Sequence, residues 1–205
     1  MRGRDIKRNG YEWAKLYCIC TFPAAHIDIR DYPSIEKWFK NASWSDEVPN
    51  GAGQLKLEQT GTNHSLNGRS FKSRKKTGNK WFETQDQIAY MDDFSRQRFV
   101  WTAVNSEYRF LALENEIYYN NSIFHGVIDK AKGIASIMNS LVMQYYFKLL
   151  FTSGYQYGGK EMMEQIPIPL TIKNNDYSEQ EIGKIYHLTE EEMCLISSSV
   201  NEKAL

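Results

Sequence analysis

The sequence predicts an α+β fold in which a β-rich module is followed by one long buried helix and by C-terminal helices. Three aromatic and branched runs, "QRFVWTAV", "EYRFLALE" and "EIYYNNSIFHGVI", are separated by polar turns and are typical of successive antiparallel strands. Residues 132–151 carry an apolar stripe at helical spacing that covers most of the circumference. Two segments nearer the C-terminus begin with residues that cap helices.

The N-terminal part is predicted to hold a strand and then a short helix. Aromatic and branched residues alternate with a period of two from Glu12 to Phe22, which indicates a strand. Cys18 and Cys20 would then lie on one face of that strand as packed thiols. Pro33 suits the first turn of a helix that should end near Asn41.

Residues 43–80 are predicted to be irregular, because "PNGAGQ" and "GTNHSLNGRS" are rich in turn-forming residues. The stretch "GRSFKSRKKTGNK" contains six basic residues and no acidic one. An irregular segment of this length inside a compact domain is usually functional or disordered. This segment is therefore the first place to look for a binding surface.

The C-terminal part is predicted to be mainly helical. The long helix should end before Gly154, and "KEMMEQIPIPL" should form a turn of helix and a short strand bounded by prolines. Ser178 and Thr189 are predicted N-caps, and Glu192 completes a capping box with Thr189. We expect residues 1–170 to form one domain and residues 171–205 to form a helical appendage.

Charge is distributed unevenly along a chain of 205 residues whose formal net charge is zero. Residues 1–80 hold 15 Lys and Arg against 8 Asp and Glu, whereas residues 158–205 hold 4 against 9. Such asymmetry indicates a nucleic acid or another acidic partner for the N-terminal part, or attraction between the two ends. The totals favour neither interpretation.

Composition also bears on location. No run approaches the roughly 18 apolar residues that a membrane helix requires, and no secretion signal opens the chain, so no membrane partner is expected. Three cysteines, an odd number, suit a reducing cytoplasm.

Motifs that would indicate catalysis are missing from the sequence. It has no Gly-rich phosphate loop, no GxSxG elbow, no HExxH and no CxxC, and its four histidines are scattered. Asp92 and Asp93, followed by Arg96 and Arg98, allow a nuclease metal site or, more simply, helix capping or an ion pair. We therefore predict no catalytic residue, no metal ligand and no enzymatic activity for this chain.

Several segments resemble a known family in order and at similar spacing. They are "RGRDIKRNGYEWAKLYCICTF", "KWFETQDQIAYMDDFSRQRFVWTAV", "EIYYNNSIFHGVI", "IASIMNSLVMQYYFKLL" and "MMEQIPIPL". Together they resemble the TaqI-like C-terminal specificity domain, the target-recognition part of adenine-specific DNA methyltransferases and of type II restriction-modification enzymes that fuse nuclease and methyltransferase. The resemblance departs at Asn9 and Gly10, where relatives commonly have Tyr directly after the last Arg of the first motif.

The resemblance implies that the chain reads a short site on duplex DNA while a separate domain performs the chemistry. That partner would be a methyltransferase domain or subunit preceding Met1, with or without a nuclease, and it would bind S-adenosylmethionine. Its Asn-Pro-Pro-Tyr motif does not occur in this chain, which itself would need no cofactor. The target adenine must leave the helix stack for methylation, so the recognition domain would grip the duplex meanwhile.

Candidate DNA-binding residues follow from this reading, because Lys and Arg neutralise phosphates and amide side chains read base edges. The candidates in the basic segment are Arg69, Lys72, Arg74, Lys75, Lys76 and Lys80. Those at the groove or at the domain junction are Arg2, Arg4, Lys7 and Arg8. Candidate base contacts are Asn63, His64 and Asn67. The alternative is a protein-interaction or scaffold domain whose basic segments dock an acidic partner subunit.

Overall fold

A computed structural model describes residues 1–8, 10–105, 109–114, 116–150, 156–157 and 159–201. It has an α+β fold, as predicted, and its elements are numbered in chain order. The strands are β1 (Ile6–Lys7), β2 (Gly10–Tyr11), β3 (Asn63–Leu66), β4 (Arg69–Lys72), β5 (Arg98–Thr102), β6 (Val104–Asn105), β7 (Phe110–Leu113), β8 (Ile123–Val127) and β9 (Gln156–Tyr157). The helices are α1 (Pro33–Asn41), α2 (Gly53–Leu57), α3 (Ala131–Met138), α4 (Leu141–Leu150), α5 (Lys160–Met163), α6 (Glu179–Ile185) and α7 (Glu190–Asn201).

The chain divides into two compact units. Unit 1 is discontinuous and combines Met1–Tyr17 with the chain from Tyr90 onward, whereas unit 2 is the continuous segment Cys18–Ala89. Helices α6 and α7 pack against α4 within unit 1. The division at residue 170 that the sequence suggested stays a prediction.

Unit 1 is built on a three-stranded antiparallel sheet in the order β7-β5-β8. The prediction of three antiparallel strands is confirmed over their described residues. Pairing of Phe99 with Ala112 and of Trp101 with Phe110 turns these side chains to one face, where α3 and α4 cover them. The other face packs Val100 and neighbouring apolar residues against the N-terminal segment. Because both faces are buried, the strands read as continuous apolar runs.

The predicted long helix is two helices, because the chain leaves helical geometry at Asn139 and Ser140. The Asn139 carboxamide accepts from Phe110 N (3.1 Å) and donates to Phe110 O (2.7 Å), so it pairs with the free edge of β7 as a strand would. The Ser140 hydroxyl accepts from Met143 N (3.2 Å), and the Glu179 carboxylate accepts from Leu141 N (3.0 Å). Both acceptors satisfy the first amides of α4.

The predicted strand from Glu12 to Phe22 is wrong. All of these residues are described, and none lies in a strand. Lys15 has a φ of 56°, which interrupts an extended run, and the side chains of Leu16 and Tyr17 are exposed. Cys18 is exposed as well, so the expected packing of both thiols is not found. Burial and the adjacent Cys18 raise the pKa of the Cys20 thiol.

Local helix signals are confirmed. Helix α1 spans Pro33–Asn41, as predicted. Ser178 caps α6, with Glu181 returning a bond to the Ser178 amide. Before α7, the Thr189 hydroxyl accepts from Glu192 N (3.2 Å), and the Glu192 carboxylate accepts from Thr189 N (2.7 Å). The predicted strand in "IPIPL" is wrong, because those described residues pair with no other strand.

Unit 2 contains α1, α2 and the β3–β4 hairpin, so the prediction of an irregular segment from residue 43 to residue 80 is only partly right. Its small core consists of Ala42, Val48, Ala52 and Phe71, with Trp44 and Leu55 packed against them. Helix α2 lies against α1 so closely that a Cβ on Gly53 would stand 1.7 Å from Phe39 O. No described helix in either unit has the length and apolar character needed to cross a bilayer.

Candidate nucleic-acid interface

The most distinctive polar feature of unit 2 is the β3–β4 hairpin. Its strands pair antiparallel from Asn63 with Lys72 to Leu66 with Arg69. Asn67 and Gly68 form the two-residue turn with φ values of 51° and 75°. Asn-Gly is the strongest short-range signal for such a turn, because both positions require positive φ. Asn67-Gly68 is thus a sequence signal for a hairpin within the segment predicted to be irregular.

The register gives the hairpin two different faces. The inner face carries His64 and Phe71, whose rings lie 5.5 Å apart, and Phe71 reaches the core of unit 2. The outer face carries polar side chains that are all exposed, and their hydrogen-bonding groups have no partner within residues 18–89, all of which the structure describes. Its members are Asn63, Ser65, Ser70 and Lys72.

Three lysines in or just after the hairpin carry charge that no acidic group within residues 18–89 pairs with. Lys72, Lys75 and Lys76 are exposed. Within the fully described range 18–89 none of them makes an ion pair or a side-chain hydrogen bond. Five of the eight carboxylates of residues 18–89 pair with a basic side chain other than these three lysines. Those pairs are Asp28 with Arg30, Glu36 with Lys40, Glu47 with Lys56, Glu58 with His64 and Glu83 with Lys80.

The other three basic residues of the segment bind the protein itself. Arg74 donates from Nε to Leu57 O (2.6 Å) and from Nη2 to Trp81 O (2.7 Å), and burial lowers the pKa of its guanidinium. Arg69 donates to Asp46 O (3.1 Å), and Lys80 donates to Ile27 O (3.1 Å), although both side chains remain exposed. Lys80 Nζ also lies 3.7 Å from Glu83 Oε1. Arg74 thus holds the segment in place and the Lys80 charge is paired within unit 2, whereas Arg69 presents its charge to solvent.

The side-chain amides of Gln59 and Asn79 hold the chain that directly follows the lysines. Gln59 is 5% exposed and donates to Lys80 O (3.1 Å) and Glu83 O (2.8 Å), while its Oε1 accepts from Thr77. The Asn79 side chain donates to Thr84 O (2.9 Å) and Gln85 O (3.0 Å). Because the backbone is held at several points, the lysines lose less conformational entropy when a ligand binds them.

The three predicted base contacts occupy three different environments. Asn63 lies on the outer face of the hairpin. The His64 side chain is 18% exposed and its Nε2 lies 2.8 Å from Glu58 Oε1. Asn67 is exposed at the hairpin tip. The structure thus separates one outward-facing candidate from one inward-facing residue and one turn residue.

The predicted N-terminal cluster lies in unit 1, and three of its four cations have protein partners. Arg2 binds Asp5 through Nε (3.1 Å) and Nη2 (2.9 Å), and these hydrogen bonds lower the pKa of Asp5 to about 2. Lys7 pairs with Glu12 (3.2 Å), and Arg8 donates to Asn139 O (2.9 Å). Arg4 is exposed and has no side-chain partner among the described residues.

Of the two carboxylates that allowed a nuclease site, Asp93 forms structural contacts. Asp93 Oδ2 lies 3.2 Å from His125 Nε2, and Asp93 Oδ1 lies 3.7 Å from Arg96. Arg98 is fully buried, donates to Asp93 O (2.7 Å) and lies over the Tyr119 ring. Burial raises the pKa of Tyr119 to about 12. In the part of the chain that the structure describes, no three His, Cys, Asp or Glu side chains are grouped to hold a metal ion.

Comparison with known proteins returned no match: neither a protein-family model nor a curated protein corresponds to this chain. The similarity to TaqI-like specificity domains therefore stays a prediction that rests on the quoted segments. The geometry of unit 2 provides a basis for function that does not depend on that similarity.

Proposed function

We propose that this chain is a DNA sequence-recognition domain of an adenine-specific DNA methyltransferase or of a fused type II restriction-modification enzyme. In this role it binds duplex DNA and positions the target adenine for a separate catalytic domain. The resemblance to TaqI-like specificity domains supports the assignment to adenine methylation, and one observation carries DNA binding. Lys72, on the exposed polar face of the hairpin, and Lys75 and Lys76, which follow the hairpin in the chain, make no ion pair within residues 18–89.

The lysines supply the affinity in this proposal. Each lysine that neutralises a phosphate releases condensed counterions, and this gain does not depend on DNA sequence. A fixed backbone strengthens such binding because fewer degrees of freedom are lost. The Arg74 guanidinium contributes indirectly, since its bonds to two main-chain oxygens hold the segment between Lys72 and Lys75.

The chemistry belongs to a partner in this proposal. Adenine methylation requires the base to be extruded from the duplex and a methyl donor, S-adenosylmethionine, which the partner domain would bind. The cytoplasm is the proposed location, since chromosomal and invading DNA are both met there. The three free cysteines, Cys18, Cys20 and Cys194, suit that reducing compartment.

Salt titration of duplex binding tests the proposal. Fluorescence anisotropy of a labelled DNA duplex would be measured between 50 and 200 mM salt for the wild type and for Lys72→Gln, Lys75→Gln and Lys76→Gln, singly and combined. Each contact contributes about 0.9 to the slope of log affinity against log salt, so the triple variant should lose about 2.7 of that slope. Lys37→Gln is the matched control, because it removes an exposed charge from α1 in the same unit.

Two results would contradict the proposal. One is a triple variant whose slope equals that of the wild type. The other is a wild type that does not bind duplex DNA but binds an acidic protein through the same lysines, as a scaffold domain would.

A further inference from the structure

We infer that the β3–β4 hairpin enters the major groove of B-form DNA as a two-stranded ribbon, with Asn63 as its base-reading residue. This inference rests on the proposed function and adds the groove, the element and the specificity-determining side chain. The register of the hairpin places Asn63 opposite Lys72 and Ser65 opposite Ser70 on the outer face.

The dimensions of the hairpin suit the groove. Its strands are four residues long, or roughly 13 Å at the usual rise, and neighbouring strands lie about 4.8 Å apart. The major groove of B-DNA is about 12 Å wide and admits a two-stranded ribbon. Ser65 and Ser70, the pair nearer the tip, are small, so the backbone can approach the base edges there.

The outer face carries the chemistry that base reading requires. The Asn63 carboxamide offers one acceptor and two donors, and an asparagine pairs with N6 and N7 of adenine. Its side chain is exposed and makes no hydrogen bond within residues 18–89, all of them described. Lys72, directly across the ribbon, provides a cation at the same level to meet a phosphate.

The hairpin is also anchored on the side away from the proposed groove. Phe71 is buried in the core of unit 2, and the His64 ring is held by Glu58 at 2.8 Å. At the open end of the hairpin, Ser73 N donates to Thr62 O (2.9 Å) and Thr62 N donates to Ser73 Oγ (2.7 Å). His64 and Phe71 are thereby held against the protein, which leaves the outer face for DNA.

Selection from a pool of randomised DNA duplexes tests the inference with the full chain. The wild type should enrich one short site, and Asn63→Ala should lose discrimination at one A·T pair of that site. The expected loss is about 5- to 150-fold, the value of one bidentate base contact. Asn63→Ala should keep the wild-type affinity for random-sequence duplex and the wild-type salt slope, because no phosphate contact is removed.

Asn50→Ala is the matched control, since Asn50 is another exposed asparagine of unit 2 and lies outside the hairpin. It should leave the selected site unchanged. An RNA duplex of the same sequence should bind more weakly than DNA at equal salt, because the A-form major groove is too narrow for a ribbon.

The outcomes separate this inference from the proposed function. If Asn63→Ala selects the same site with undiminished discrimination, or if RNA and DNA duplexes bind equally, the ribbon assignment is wrong while DNA binding stands. If the wild type binds no duplex, or binds without preferring any sequence, the proposed function itself fails.

Discussion

The two hydrogen bonds between the Asn139 side chain and the edge of β7 predict a large loss of stability when they are removed. Asn139 is 9% exposed, and its carboxamide satisfies both main-chain groups of Phe110, which is 0% exposed. Asn139→Ala removes both hydrogen bonds to the main chain of this buried residue. Each hydrogen bond lost to a buried polar group costs about 1–3 kcal/mol, so the variant should lose about 2–6 kcal/mol of unfolding free energy.

Urea unfolding followed by circular dichroism measures this loss. The midpoint should fall while the m-value stays the same, because the surface exposed on unfolding hardly changes. Asn121→Ala is the control, since Asn121 is exposed in the same unit and makes no side-chain bond among the described residues. It should change stability by less than about 0.5 kcal/mol. A loss below about 1 kcal/mol for Asn139→Ala would refute the assigned role of this amide.

Three further predictions concern packing, pH and capping. Gly53→Ala would place a Cβ 1.7 Å from a main-chain oxygen of α1, so thermal unfolding should show a loss of about 3 kcal/mol of stability. Gly78→Ala is the control, because a Cβ there would meet no atom within 4 Å and stability should hardly change. The pKa of Asp5 is lowered to about 2 by Arg2, so its stabilising effect should be complete above about pH 4 and fade as pH falls to 2. An acid titration in which Asp5→Asn shows the same fading would contradict this. Thr189→Ala should cost about 1 kcal/mol and reduce helical circular dichroism, and an unchanged unfolding midpoint would exclude the capping role.

Features with a local cause were predictable from the sequence. The capping boxes at Ser178 and Thr189 and the first turn at Pro33 depend on residues within a few positions. The break at Asn139 was not predicted, because the partner that stabilises it is 29 positions away. The alternating pattern from Glu12 to Phe22 is typical of a strand, but this segment pairs with no other strand in the structure.

The candidate site was predictable in composition but not in arrangement. The cluster of cations around Lys75 is visible in the sequence. The two carbonyl oxygens that Arg74 binds belong to residues 7 and 17 positions away, the second at the end of α2, and no local pattern shows this pairing. The different roles of Asn63 and His64 depend on strand register, since adjacent residues of a strand face opposite sides. The Asn-Gly turn could have predicted that register.

The discontinuity of unit 1 has a consequence for the order in which the chain folds during synthesis. Ile6 is 0% exposed and packs with Val100, Leu113 and Ile123. These three residues lie in the three-stranded sheet, so Ile6 cannot be buried until β5, β7 and β8 have left the ribosome. Residues 18–89 are continuous and need no later segment to close their own core. Unit 2 is therefore the first of the two units that can fold, while residues 1–17 stay exposed until the strands of unit 1 have been synthesised.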